Sequence, residues 1–316
     1  MTYGNDGPVR YAWTGWAVLF LATAAIIMHD SSRSVIAVYR FGALQWIAGQ
    51  RMYEMSGVGG FTYLPQAAIL YIPFALLPPL AGEVFWRLIN IGVFAFGLRG
   101  FSRLAGGRPG PDLFPLMTLV AVPLVWDCAR NGQATLVMTG FMLLAVANLG
   151  RERWWRSTLW LSLAVAVKPL AVVLLLLVGA GERRMSLRVA VGAVALALMP
   201  FLTQHPVYVA HQYAEFFRNT SVSSHVAVLE QGWTTPFTAL HVAGIEVSER
   251  IQTVLRVAAA LATLLLYGSA RRRYDGAEAA VFAFSLAALY VILFSPRTEN
   301  NTYAMLGPVI GVFLAE

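Results

Sequence analysis

Charge is what this sequence has least of: only 12% of its 316 residues are Asp, Glu, Lys or Arg, against roughly 25% in an average soluble domain. With 58% hydrophobic residues and a mean hydropathy of +0.63, water is not the solvent for most of the surface. Cysteine is almost missing. The lone Cys128 excludes an internal disulfide, gives no redox evidence about compartment, and is expected to pack as a small buried hydrophobe. His205, His211, His225 and His241 lack the spacing of metal ligands, so no metal site is expected. Neither a Gly-rich phosphate loop nor an Asp-x-Asp pair occurs. Strict alternation of apolar and polar residues is missing too, which excludes a transmembrane barrel, and no internal repeat or low-complexity segment is evident. The net charge of +7 does not point to nucleic acid, because the arginines fall in short clusters between apolar runs rather than on one face.

What is present is a series of apolar stretches, such as Tyr11 to Met28 and Ile251 to Ala270, near the length of about 20 residues that crosses a bilayer as a helix. Cytoplasmic loops collect Lys and Arg. Arg10, Arg99/Arg103/Arg108, Arg151/Arg153/Arg156, Arg183/Arg184/Arg188 and Arg271/Arg272/Arg273, thirteen of the 23 basic residues, all fall on one side for a single set of spans. That set lies near 11–28, 84–102, 113–127, 134–149, 157–168, 170–180, 189–203, 251–270, 278–294 and 303–315. It predicts about ten helices, both ends of the sequence inside, and one domain over 1–316 with outer loops at about 29–83 and 204–250. The fifth and sixth stretches are too short to cross separately and meet at Lys168-Pro169, which predicts a helical hairpin whose broken backbone is buried or lines a wet cavity. Without a convincing small-residue cleavage site before Asp30, the first span is expected to stay as an anchor.

The first outer loop is too apolar to be an ordinary loop. Val35, Ile36, Val38, Tyr39, Ala43, Leu44, Trp46 and Ile47 recur at roughly helical spacing around Arg33, Arg40 and Gln45, which predicts an interfacial helix. Tyr63 to Leu80, with four prolines, reads as a second interfacial or half-inserted helix, since a full crossing would move Arg99 to Arg108 outside. The unusual polar groups then share the outer side: His29-Asp30, Arg51, Glu54, Glu83, Arg87, Asp127, Arg130 to Gln133, Lys168-Pro169 and Ser295 to Asn301. Ionisable residues at membrane depth are costly and usually line a functional cavity, so one outer-leaflet site is expected.

In order along the chain, "VYRFGALQWIAGQRMYE", "FTYLPQAAILYIPFALLP", "RNGQATLVMTGFMLLA", "LAVAVKPLAVVLLLL" and "LFSPRTENNTYAMLGPVI" resemble glycosyltransferase family 87. The resemblance covers most of the chain. It implies a GT-C-like bundle with outer-side interfacial helices and a membrane glycosyltransferase that uses a polyprenyl-phosphate sugar, without a further cofactor. An acidic residue after the first span acts as base in that family and falls here on Asp30. The Tyr-x-Pro, Gly-Gln, Lys-Pro and Ser-Pro elements fall on Tyr63-Leu64-Pro65, Gly132-Gln133, Lys168-Pro169 and Ser295-Pro296. The sequence departs from the family where aromatic and histidine residues often follow Ser-Pro, carrying Arg297-Thr298-Glu299-Asn300-Asn301 instead, and it is short for the family.

Sugar transfer from a lipid phosphate needs a base for the acceptor hydroxyl and cations for the departing phosphate. Asp30 is the candidate base. Arg87, Lys168 and Arg297 are candidate phosphate partners, with Gln133, Tyr63 and Glu299 as further substrate-binding candidates. The expected reaction moves a mannose-like hexose or a pentose, with inversion, to a lipid-linked or envelope glycan acceptor on the periplasmic or exterior face of a bacterial inner membrane. The missing nucleotide loop and Asp-x-Asp pair argue against a soluble nucleotide-sugar donor. A transporter or flippase would also use broken helices and buried charge, but such sites form at the midplane between repeated halves. A non-catalytic assembly subunit, docking a partner through its outer loops, is the third reading.

Overall fold

The computed structural model of the protein describes residues 7–53, 60–107, 112–223, 235–295 and 298–315, and the regular structure among them is entirely helical. Helix α1 (Gly7–His29) leads through a short loop to α2 (Ile36–Ala48), and α3 (Pro65–Ala75) precedes the long α4 (Pro79–Ala105). Then come α5 (Phe114–Asn131), α6 (Thr135–Leu149) and α7 (Trp154–Val167). A 3₁₀ turn, Pro169–Ala171, separates α7 from α8 (Val172–Gly181), and α9 (Arg183–Leu198) is extended by another turn to Leu202. The rest comprises α10 (Pro206–Ser223), α11 (Pro236–Val242), α12 (Glu249–Arg273), α13 (Gly276–Phe294), a 3₁₀ turn Asn300–Met305 and α14 (Leu306–Phe313).

Local chemistry sets several boundaries. Proline supplies a preset φ at the start of α3 and α4, where its missing N–H costs nothing. The Asp275 carboxylate accepts from the N–H groups of Ala277 and Glu278 at 2.7 and 2.8 Å and so starts α13, while Ser248 does the same for α12 through Ile251. In the core, α4 and α6 approach very closely. A Cβ on Gly97 would stand 2.5 Å from the Gly140 carbonyl oxygen, and one on Gly140 would stand 2.7 Å from the Phe94 nitrogen. Paired small residues are how helices gain van der Waals contact where lipid removes the hydrophobic drive between them. Trp16 ties α1 to α5 by donating to Thr118 at 3.1 Å.

Among the described residues, five helical segments are long and apolar enough to cross a membrane: α1, α4, Arg183–Leu202, α12 and α13. The expectation of about ten spans is therefore not met by helix length. α6 and Pro169–Gly181 are apolar but shorter, and the stretch expected to cross at 303–315 is a 3₁₀ turn followed by the eight residues of α14, about 12 Å of helix. Charge clustering located the loops, but it carries no information on how far each helix runs before its backbone breaks. The expected helix from Tyr63 to Leu80 likewise divides into α3 and the start of α4 around Leu76 to Pro78. The expected helix near 35–47 is observed as α2.

The break at Lys168 is as expected. Lys168 is extended (φ −149°, ψ 123°) and ends α7, because the following proline disfavours a helical residue before it. Thr158 meets Met185, and Gly192 sits against Ser162, so α9 runs in the direction of α7. Gly179 packs on Val189, so α8 runs the other way and the chain reverses at Lys168 to Ala171. Polar and charged groups divide between the two ends of the bundle. Arg99 pairs with Asp112, Arg184 with Glu152 and Arg271 with Glu182 at one end, while Lys168, Glu83, Arg87 and Glu299 gather at the other.

The second outer stretch folds back on the first. Gln204 donates to the Trp46 carbonyl at 2.7 Å, Trp46 donates to Thr203 at 3.3 Å, and Gln212 accepts from the Met52 N–H at 3.4 Å. Trp46 and Met52 form, with Tyr53, Phe61, Ala68, Val209 and Phe216, a small apolar cluster separate from the main core. Sequence patterning alone did not anticipate α10 or this packing.

Candidate functional site

The turn after α5 organises the polar end. Gly132 ends the helix in the left-handed region at φ +67°, a conformation that costs glycine nothing. A Cβ there would also stand 2.5 Å from the Ile36 side chain. Both facts explain the Gly-Gln pair physically. The Gly132 carbonyl accepts from Trp86 at 2.8 Å, and the Asn131 carbonyl accepts from the Val35 N–H at 3.0 Å, joining the turn to α4 and to the loop after α1.

Beneath this turn lies Arg87, fully buried. Nη1 donates to the Glu83 carboxylate at 2.8 Å, while Nη2 donates to the Arg130 carbonyl at 2.8 Å and to Ser34 at 3.3 Å. Ser34 in turn donates to Glu83 at 2.9 Å. The planar guanidinium thus fastens α4 to α5 and to the Ser31–Val35 loop, facing protein rather than the cavity described below. Gln133 is also turned inward. Its Oε1 accepts from the Tyr39 hydroxyl at 3.3 Å, the Ala134 N–H donates to the same hydroxyl at 3.1 Å, and the Tyr63 hydroxyl lies 3.2 Å from it.

Asp30 follows the last residue of α1 and is exposed. It caps no helix. Its Oδ1 accepts from the Ser32 N–H at 2.9 Å, which fixes the turn toward Ser34, and α2 begins only at Ile36. The hydrogen bonds from Ser32, with smaller help from Arg130 and Arg33, hold its carboxyl below the ordinary 3.8.

A cavity of about 420 Å³ is bounded by α8, α10, α12, α13 and the segment before α3, and it brings together Tyr63, Lys168 and Glu299. Phe216, Arg256 and Tyr290 complete much of its wall. Lys168, the only lysine in the chain, is 8% exposed. Its ammonium donates to Thr135 at 2.8 Å and stands 3.9 Å from the Glu299 carboxylate. Asp30, Arg87 and Gln133 do not line this cavity. Of the three, only Gln133 is linked to it, through the contacts from Gln133 to Tyr39 to Tyr63. Arg297, Pro296 and Glu54 lie outside the described residues.

Several buried polar atoms at the end of α5 and on the 3₁₀ turn Asn300–Met305 have no hydrogen-bond partner among the described residues: Arg130 Nε, Asn131 Oδ1, Asn301 Oδ1 and Thr302 Oγ1. The 3₁₀ turn carrying Asn301 and Thr302 packs on α5, the helix that carries Arg130 and Asn131. Orphaned buried polar groups are rare in native proteins, and a water-bearing or ligand-bearing site is one place they occur. Thr135 and Arg256 were missed by sequence reasoning. Thr135 looks like any helix threonine, whereas Arg256 did carry a signal as a single cation inside an apolar run. Cys128 is buried, as expected.

The pattern of glycosyltransferase family 87 matches residues 61–296. A polyprenol-phosphate-mannose-dependent alpha-(1-2)-phosphatidylinositol mannoside mannosyltransferase of Mycolicibacterium smegmatis is 27% identical over 343 aligned positions, which cover 95% of this chain and 72% of that protein. A polyprenol-phosphate-mannose-dependent alpha-(1-2)-phosphatidylinositol pentamannoside mannosyltransferase of Mycobacterium tuberculosis is 29% identical over 112 positions, 34% of this chain and 25% of that protein. No solved structure matches the chain. With the family pattern spanning the reversal at Lys168, the Gly-Gln turn and the helices that enclose the cavity, this chain belongs to glycosyltransferase family 87 and is a membrane glycosyltransferase.

Proposed function

We propose that this glycosyltransferase moves a mannose-type hexose from a polyprenyl-phosphate donor to a hydroxyl of a glycolipid acceptor at the outer face of the membrane, with inversion at the anomeric carbon. The observation that carries this reading is the buried Lys168 at the reversal between α7 and α8, with its ammonium on the cavity wall beside Glu299. A cation so placed suits a lipid-linked phosphate, and the relatives are named for polyprenol-phosphate-mannose and phosphatidylinositol mannosides.

In this mechanism the acceptor oxygen forms a bond to the anomeric carbon as the carbon–oxygen bond to phosphate breaks, and the polyprenyl phosphate leaves with the bonding pair. Lys168 offsets the charge developing on that phosphate. Asp30 takes the acceptor proton. A carboxylate of low basicity does so late, once the new bond has begun to form and the hydroxyl has become acidic. Arg297 is a further phosphate partner on the segment after α13. The opposite end, with Arg103, Arg184 and Arg272, faces the cytoplasm in this reading.

The test is transfer of labelled mannose from synthetic polyprenol-phosphate-mannose to a phosphatidylinositol mannoside by the purified chain in lipid nanodiscs. Product with the new linkage in the inverted configuration supports the proposal. No transfer by well-folded protein overturns it.

A further inference from the structure

Arg256 is the one charged residue between Arg250 and Arg271 in α12, and it faces a cavity without an ion-paired carboxylate. Arg87, Arg99 and Arg271 each have a carboxylate partner. Arg256 has no ion-paired carboxylate among the described residues, and Glu249 acts on it only from longer range. Nη2 donates to the neutral Gln252 side chain at 3.1 Å, the guanidinium lies over the Phe237 ring at 5.2 Å, and Nε is buried without a partner. A cation held inside an apolar helix without a close counterion is costly, which makes it a functional candidate.

Its position gives the candidate a ligand. Arg256, Val173 and Tyr290 line the cavity of Lys168 and also a second cavity of about 410 Å³. The second is an aliphatic groove between α8 and α12, walled by Leu176, Leu177, Ala260, Leu261 and Leu264. The guanidinium therefore stands where a charged chamber meets a hydrocarbon channel. The charged walls among the described residues sum to one net positive charge, because Glu299 already offsets Lys168 while Arg256 has no such partner. A lipid phosphodiester carries one negative charge on a long apolar tail, which complements both halves.

We infer that Arg256 holds the phosphate of the lipid donor at the junction of the two cavities, with the first prenyl units lying in the groove between α8 and α12. This rests on the proposed use of a polyprenyl-phosphate sugar, and it adds a donor-binding residue and a path for the tail. Arg is suited to the role because its fork can bind two phosphate oxygens, while Lys168 contributes a point charge from the other wall.

The experiment compares wild-type protein with Arg256→Gln, Arg256→Lys and Leu261→Trp in nanodiscs, using polyprenol-phosphate-mannose with a long chain and with a geranyl chain. Arg256→Gln is expected to raise the donor KM about tenfold or more, with a smaller change in kcat and in the acceptor KM, and Arg256→Lys should recover part of the loss. Leu261→Trp should raise KM more for the long-chain donor than for the geranyl donor. An active wild type whose donor KM is the same in Arg256→Gln overturns the assignment while leaving the proposed reaction standing. A wild type that neither transfers from nor binds these lipids instead removes the proposed reaction, and the assignment with it. Should Arg256→Gln fail to fold, photolabelling of wild type by a diazirine-bearing polyprenyl phosphate decides: labels on α8 and α12 support the path, and labels confined to other helices overturn it.

Discussion

Removing Glu299 should harm folding more than removing Lys168, although Lys168 is the residue proposed to touch the substrate. Lys168 is buried and Glu299 has a side chain 40% exposed, with 3.9 Å between ammonium and carboxylate. At that distance the attraction is about 4 kcal/mol for an effective dielectric of 20 and about 1 kcal/mol for one of 80, so a half-exposed pair should couple by about 2 kcal/mol. Glu299→Gln leaves a desolvated ammonium with Thr135 alone, and an unpaired buried charge is what makes breaking such pairs expensive. Lys168→Met leaves only a carboxylate that water can reach. We therefore expect Glu299→Gln to cost about 2 kcal/mol and to lower the unfolding midpoint by about 3 °C, with a smaller loss for Lys168→Met. Activity should show the reverse order, with Lys168→Met losing about a hundredfold in kcat/KM for the donor. The assays are thermal unfolding in nanodiscs and donor kinetics on the two single variants and the double variant. A coupling below about 0.5 kcal/mol in the double-mutant cycle would refute the pair as drawn.

Arg87→Ala should destabilise by about 3 to 5 kcal/mol, since it leaves Glu83 without its cation and the Arg130 carbonyl without its donor, whereas the donor KM of surviving protein stays near wild type; a large KM effect in folded protein would return Arg87 to the phosphate. Asp30→Asn keeps an acceptor for the Ser32 N–H, so expression and melting should hold while turnover drops about 10² to 10⁴-fold, and near-normal transfer would reject the base. Because Ser32 lowers the Asp30 pKa, its base form persists as pH falls and is lost only below the ordinary 3.8, so the rate should be flat on the acid side down to about pH 5; an acid limb near neutrality would mean another base. Gly132→Ala combines a positive φ with the Ile36 clash and should cost about 1 to 3 kcal/mol, read as a lowered melting midpoint. Cysteines introduced at Ser32 and Asn300 should react with an impermeant reagent from outside and those at Arg103, Arg184 and Arg272 only from inside, and reversal of either set would remove the proposed orientation.

The sequence by itself determined the helical membrane class, the resemblance that proved to be family membership, and the break at Lys168-Pro169. Each depends on composition or local backbone chemistry, which a linear reading carries: too little charge for water, a fixed proline φ, and a glycine where the chain turns with φ +67°. It also identified Tyr63, Lys168 and Glu299, which the fold brings to one cavity. Only the tertiary structure decided which cations have counterions, because pairing depends on helix packing across distant segments. That packing assigns Glu83 to Arg87, Glu299 to Lys168 and no carboxylate among the described residues to Arg256. It also decided helix lengths, where the ten expected stretches correspond among the described residues to five long helices and several shorter ones. Hydropathy sums over a window and is blind to a single extended residue such as Lys168, whose backbone turn creates the cavity wall.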